Sequence, residues 1–211
     1  MEQDIAILIA DLAGYTALTE VHGASAAADI IDMYVEVVNS SLVGDCHLHQ
    51  RVGDEVLLVS KEADALLATA VQLLKNAHRQ VNFLQLHGAL HFGSVLYRNQ
   101  DLYGNTVNLT SRMASKAASG SIVCSTDFIG ALKNKDVLQF QSKGKYNFKN
   151  VSEEKELIEL VIDRPDAFYT DPVCRMLVNT SISKYMHPHK SDIFFCSQGC
   201  LEEFLRSENI R

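Results

Sequence analysis

Ile5-Ala6-Ile7-Leu8-Ile9-Ala10-Asp11-Leu12-Ala13-Gly14-Tyr15-Thr16 is the stretch from which the rest of this 211-residue chain can be read. Ile5 to Ala10 is an unbroken apolar run of strand length, which predicts a buried central strand. It ends at a carboxylate, Asp11, and a turn at Gly14. Outward from it, Ala27, Ile30, Ile31, Tyr34, Val37 and Val38 recur at helical spacing within Ala24 to Val43, predicting an amphipathic helix laid on the sheet. His47 to Val52 and Val56 to Ser60 alternate as strands around Gly53-Asp54-Glu55, a hairpin signal that puts Asp54 at the tip. Ala63 to Phe83 predicts a second long helix. Leu86 to Phe92 and Ser94 to Arg98 read as a strand pair turning at Gly93, and Thr106 to Ala117 as a third helix. Strands at Ile122 to Ser125, around Val137 to Phe140 and at Glu156 to Ile162 complete an α+β fold, a mixed β-sheet with helices packed against it.

Composition narrows the function. With 47% apolar and 21% charged residues the chain can build an ordinary globular core. A formal charge of −7 and a pI near 5.6 argue against nucleic acid or an anionic membrane as partner, because both demand clustered Lys and Arg. A small-molecule substrate is expected instead. No apolar run approaches the roughly 18 to 20 residues that span a bilayer. Acidic residues stand near Met1 where a signal peptide would carry positive charge, so a cytoplasmic location is the expectation. The five cysteines are an odd number, and Cys174, Cys196 and Cys200 crowd into the C-terminal part, unlike a disulfide framework. Cys46 and Cys124, in apolar surroundings, read as buried thiols.

Two acids at the ends of adjacent strands, Asp11 and Asp54, suit hard divalent cations, which take oxygen ligands from one or two carboxylates and from substrate phosphates. Each taken alone is also ordinary turn chemistry. Further on, Leu86-His87-Gly88-Ala89-Leu90-His91-Phe92-Gly93 precedes Asp101-Leu102-Tyr103-Gly104-Asn105-Thr106-Val107-Asn108-Leu109-Thr110-Ser111-Arg112. Asn108 and Arg112 are four apart on a predicted helix and share a face, an amide and a guanidinium fit for a ribose oxygen and a phosphate.

In combination, these motifs resemble the class III adenylate and guanylate cyclases over roughly Ile5 to Val161. The ordered set is D-x-x-G-[YF]-T, G-D, H-x-G and D-x-x-G-x-x-V-N-x-x-x-R. The resemblance implies a ferredoxin-like core in which Asp11 and Asp54 hold two Mg²⁺ or Mn²⁺ ions. It implies that Asn108 orients the ribose, Arg112 stabilises the transition state at the α-phosphoryl group, and Lys149 holds the terminal phosphates. Asp101 and Gln50 match the positions that choose the purine. Adenylate cyclases of this type carry Lys where Gln50 stands and guanylate cyclases carry Glu; a neutral amide can donate to adenine N1 while Asp101 accepts from N6, which favours ATP over GTP. Arg51, next along the strand, is expected on its opposite face. The family builds each site from two protomers, so a homodimer is implied. Diguanylate cyclases are disfavoured, since the chain has no Gly-Gly-(Asp/Glu)-Glu-Phe run.

Arg164-Pro165-Asp166 and Asp171-Pro172 punctuate the chain and place a boundary near residue 165, giving units 1–164 and 165–211. The second is too short to bury a core unaided. Its Cys174, Cys196 and Cys200, with Phe194-Phe195 and Phe204, resemble the YHS domain, a small treble-clef-like metal-binding module. Three thiolates at this spacing suit a soft or borderline ion such as Zn²⁺ or Cu⁺. His187, His189 and Asp171 are the candidates for a fourth ligand.

Overall fold

The computed structural model describes residues 2–136, 138–162 and 168–209. The boundary expected near residue 165 lies outside the described residues. Element order is β1 (Glu2–Ala13), α1 (Tyr15–Ser41), β2 (His47–Val52), β3 (Glu55–Ser60), α2 (Ala63–Arg79), β4 (Gln85–Arg98), β5 (Asp101–Tyr103), α3 (Asn105–Ala114), β6 (Ile122–Ser125), α4 (Thr126–Ala131), β7 (Gln139–Tyr146) and β8 (Lys155–Val161). Short strands β9 (Phe168–Thr170), β10 (Leu177–Asn179), β11 (Tyr185–Met186) and β12 (Phe194–Phe195) and helix α5 (Gln198–Asn209) follow.

The main sheet runs β2-β3-β1-β4-β6-β8-β7, with β5 hairpinned onto β4. β1 lies inside it, antiparallel to both β3 and β4. Its period-two alternation sorts its side chains onto two cores. Ala6, Leu8, Ala10 and Leu12 join the core beneath α1 and α2, while Ile5, Ile7 and Ile9 join the smaller core with Leu109 and Met113 of α3. A strand covered on both faces is apolar throughout, which is why this run carries no polar residue before Asp11. By the same alternation Asp11 continues the Ile5-Ile7-Ile9 row, where that core ends.

Three expectations are corrected. The first helix starts at Tyr15, before Ala24, and is broken by Gly23, whose φ of 82° and ψ of 171° are non-helical. The apolar periodicity seen after Ala24 belongs to the second segment alone. Gly93 is no turn: β4 is continuous and pairs with β1 from Leu86 opposite Leu12 to Leu96 opposite Glu2. The glycine serves instead to let α3 approach, since a Cβ there would lie 3.0 Å from the Thr106 hydroxyl. The strand expected around Val137 to Phe140 is β7, displaced toward Tyr146. Cys46 and Cys124 are buried as read. Among the described residues no helix is long and apolar enough to cross a membrane.

The C-terminal segment is docked on the sheet, not independent of it. Leu84 bridges Met176, Leu177 donates its N–H to the Phe83 carbonyl at 2.6 Å, and Asn82 donates to the Leu177 carbonyl at 3.1 Å. Cys174, Met176, Phe195 and Cys200 are buried in the same core as Leu8, Tyr34 and Phe83.

Candidate active site

Gly53 and Asp54 form the loop between Val52 and Glu55, with Gly53 at φ 62°, so Asp54 does sit at the hairpin tip. β3 pairs with β1, bringing that tip beside Asp11, and the two carboxyl groups share a hydrogen bond. Burial and the neighbouring Asp11 charge push Asp54 up to about 6. Burial also raises Asp11, against the lowering hydrogen bonds from Asp54 and from the Leu12 N–H, the latter 2.9 Å long. Glu55 is raised by burial and by Asp54. Two half-buried carboxyls that share one hydrogen-bonded proton, donated by Asp54 to Asp11, are the arrangement a bound divalent cation would relieve.

β4 supplies a third group. His87 stands opposite Asp11 in the β1–β4 ladder, its Nε2 4.0 Å from Asp11 Oδ2. Burial lowers its imidazole from the ordinary histidine range, against the raising charge of Asp54. Its Nδ1 is buried without a hydrogen-bond partner. Tyr34 braces the pair from beneath, donating from its fully buried hydroxyl to the Ala10 carbonyl at 3.2 Å. In the sequence His87 is one residue of the Leu86 to Gly93 stretch; its position opposite Asp11 appears once the register is known. The charges that move Asp11 and Asp54 come from each other, Glu55 and His87; no Lys or Arg is among them.

The other expected residues are not among the groups that act on Asp11 and Asp54. Asn108 is exposed on α3, and Arg112, one turn later, donates from Nη1 to the Lys149 carbonyl. Lys149 belongs to the loop between β7 and β8, tightened by Val151 N–H to the Phe148 carbonyl at 3.1 Å and by Asn150 at φ 62°. Arg112 and Lys149 are thus brought together. Asp101 begins β5, opposite Arg98. His49 has its ring 6.1 Å from that of Tyr97 and feels the Asp101 charge, so the Gln50 strand and the Asp101 hairpin share a surface. A bulge between Leu48 and Gln50 interrupts the alternation there, and Arg51 donates to the Gly53 carbonyl at 2.7 Å, across the hairpin loop.

The cysteines also converge. Cys174, Cys196 and Cys200 lie with His22 of α1 so that their ligand atoms are all within 4.8 Å of one another. Hydrogen bonds with Cys174 and Cys196 hold the Cys200 thiol well down, while hydrogen bonds with Cys196 and Cys200 raise Cys174. The three residues expected as fourth ligand stand outside this group. Asp171, fully buried, accepts from the N–H groups of Val173, Cys174 and Cys196 at 2.8, 3.3 and 2.8 Å. His187 Nε2 is paired with Glu208 at 2.8 Å, and His189 is exposed with its N–H on His187 Nδ1. No local signal in the sequence marks His22, which is more than 150 residues away from these thiols.

The profile of the adenylate and guanylate cyclase catalytic domain matches residues 1–162. An adenylate cyclase of Glutamicibacter nicotianae is 30% identical over 133 residues, which is 61% of this chain and 32% of that protein. An uncharacterised protein of Mycobacterium tuberculosis is 33% identical over 115 residues, 54% of this chain and 30% of that protein. The chain therefore spans about a third of the length of these relatives. Among solved structures, adenylate cyclases of Trypanosoma brucei in their monomeric state superpose with a TM-score of 0.68 at 18% identity, covering 74% of this chain and 89% of theirs. The adenylyl cyclase CyaB of P. aeruginosa gives 0.65 at 19% identity, covering 79% and 97%. The likeness to these structures is one of fold. With the family profile spanning the whole main sheet and both carboxylate-bearing strands, the chain belongs to the adenylate and guanylate cyclase catalytic domain family.

Proposed function

We propose that this chain converts a purine nucleoside triphosphate, ATP by preference, into its cyclic 3′,5′-monophosphate and pyrophosphate at sites shared between two copies. The observation that carries the reading is the facing pair Asp11 and Asp54, half-buried and hydrogen-bonded to each other, with Asp11 raising the proton affinity of Asp54. Such a pair fits two Mg²⁺ or Mn²⁺ ions, which when bound would lower the pKa of the 3′-hydroxyl and neutralise phosphate charge. Asp11 and Asp54 hold that metal position; Glu55 adds negative field beside it. The 3′-oxygen forms its bond to the α-phosphorus as the bond to the pyrophosphate oxygen breaks, and the hydroxyl proton leaves to solvent. From the partner copy, Asn108 orients the ribose, the Arg112 guanidinium meets charge growing on the α-phosphoryl oxygens, and Lys149 meets the terminal phosphates. Positioning and charge neutralisation supply the acceleration, and no protein nucleophile is needed.

Gln50 favours a second reading, a scaffold of the same fold with weak or lost activity, because selectivity built on buried hydrogen bonds falters when one partner changes. Incubating the purified protein with Mn²⁺ and either ATP or GTP separates the two. Cyclic product above an Asp54→Ala control is expected, more from ATP than from GTP; the same yield from the control defeats the enzyme reading. Gln50→Lys is expected to widen the preference for ATP by about tenfold, one good hydrogen bond's worth of discrimination. In the C-terminal segment, residues 165–211, the converging thiols support a YHS-like metal-binding unit.

The acid pair also sets a pH dependence. Metal must displace the proton held near pH 6, so Mn²⁺ affinity is expected to fall up to tenfold per unit below about pH 6 and to level off above it. The sign for stability is the reverse. A carboxyl whose folded pKa exceeds its unfolded value stabilises the fold fully below the unfolded value, near 3.8, and loses that contribution as pH rises through about 6. Melting curves should accordingly show the gain in Tm on adding Mn²⁺ growing from pH 5 to pH 7.5; a gain independent of pH would exclude Asp11 and Asp54 as the ligands.

A further inference from the structure

The cysteines of the C-terminal segment form only three corners of a site. Cys174 Sγ lies 3.4 Å from Cys196 Sγ, and Cys196 Sγ lies 3.6 Å from Cys200 Sγ. The fourth corner comes from the catalytic fold: His22 Nε2 is 3.5 Å from both Cys196 Sγ and Cys200 Sγ. A tetrahedral Zn²⁺ with ordinary bond lengths has sulfur–sulfur edges of about 3.8 Å and sulfur–nitrogen edges of about 3.6 Å. The four edges here are therefore those of a metal tetrahedron to within a few tenths of an ångström. A disulfide would need about 2.05 Å between two sulfurs and would leave the third thiol and the imidazole without a role.

The frame around the corners is built for this. Asp171 ties the backbone N–H groups of Cys174 and Cys196 to one buried carboxylate, and Ser197 Oγ accepts from the Cys200 N–H at 3.3 Å. Gly23, at φ 82°, stops the first segment of α1 directly after His22, leaving the imidazole at a helix end. That segment starts at Gly14, the turn after Asp11, and the knuckle of the C-terminal segment is seated on the same turn. A Cβ at Gly14 would lie 2.4 Å from Arg175 Cβ. Met176 and Leu177 meanwhile run beside Phe83 and Leu84, the lead-in to the strand that carries His87.

We propose that His22, Cys174, Cys196 and Cys200 bind one zinc-class ion, which staples the C-terminal segment across the Gly14 turn and holds the first segment of α1 in place. Three sulfurs and an imidazole select Zn²⁺ over the Mg²⁺ or Mn²⁺ suited to the oxygen ligands of Asp11 and Asp54, so the two sites sort their metals chemically. Neither the site nor its test rests on nucleotide cyclisation.

The test uses the full-length chain, stripped with a chelator under reducing conditions and titrated with Co²⁺ and then Zn²⁺. One equivalent of Co²⁺ should give the visible absorption of a tetrahedral ion with thiolate charge-transfer bands, and Zn²⁺ should abolish it. His22→Ala, at a partly exposed position, should weaken Zn²⁺ binding by about 100-fold and alter the Co²⁺ spectrum, as loss of one ligand requires, and His22→Cys should restore both. In hydrogen exchange, Zn²⁺ should protect residues 14–22 together with 171–200 in the wild type and only 171–200 in His22→Ala. Unchanged affinity and spectrum in His22→Ala would reduce the site to the three cysteines and overturn the staple. Substoichiometric Co²⁺ binding, or two of the three thiols recovered as a disulfide, would overturn the site itself.

Discussion

Asp54→Ala and Arg112→Ala, each inactive by itself, should regain about a quarter of wild-type activity when mixed in equal amounts and allowed to exchange. On the proposed shared-site reading, random pairing makes half of the dimers mixed, and each mixed dimer holds one doubly damaged site and one intact site, so about a quarter of all sites are whole. Each variant alone should lose at least about 10²- to 10³-fold in rate, the usual effect of removing a group that meets transition-state charge. The structure motivates the experiment through its charge distribution. Asp11 and Asp54 face each other with no Lys or Arg among the groups that act on them, whereas Arg112 and Lys149 are joined to one another. A triphosphate needs both sets. If the mixture stays inactive while chromatography of tagged chains shows exchange, the shared-site account fails.

Gly88→Ala should lower stability by about 1–3 kcal/mol, the ordinary cost of overpacking. For a chain of this size that is a fall in Tm of about 3–10 °C. Gly88 sits opposite Ala10 in the β1–β4 ladder, and an added Cβ would lie 2.5 Å from the Ile9 carbonyl oxygen and 3.1 Å from Ala10 Cα. Both neighbours are backbone at the centre of the sheet, so relief requires the strands to part. The parting falls one residue from the Asp11–His87 pair, and Mn²⁺ affinity should weaken with stability. Gly130→Ala is the control: in α4, with nothing within 4 Å of an added Cβ, it should leave Tm unchanged or slightly raised. Equal melting temperatures for Gly88→Ala and wild type would remove close strand approach as the reason for this glycine.

The two glycines of the His87-Gly88 to Gly93 stretch show how far sequence reading reaches. In one dimension Gly93 looks like turn punctuation, while Gly88 lies inside the strand predicted over Leu86 to Phe92. Neither turns the chain, because a glycine admits a close neighbour as readily as a positive φ, and which of these it does depends on what crosses it: Ile9 at one, Thr106 at the other. The break at Gly23 is illegible in sequence because the helix on its N-terminal side, Tyr15 to His22, is shorter than the window of about 11–18 residues over which a helical period declares itself.

The sequence by itself determined the central strand, the helix that covers it, the hairpin that carries Asp54 and the ordered motif set. All of these follow from local alternation, helical spacing and turn chemistry, in which neighbours along the chain are neighbours in space. Only the tertiary structure decided that His87 faces Asp11, that Arg112 meets Lys149 and that His22 completes the cysteine cluster. Those pairings depend on strand register and on how the C-terminal segment docks, contacts between residues far apart in the chain that no short window of residues encodes.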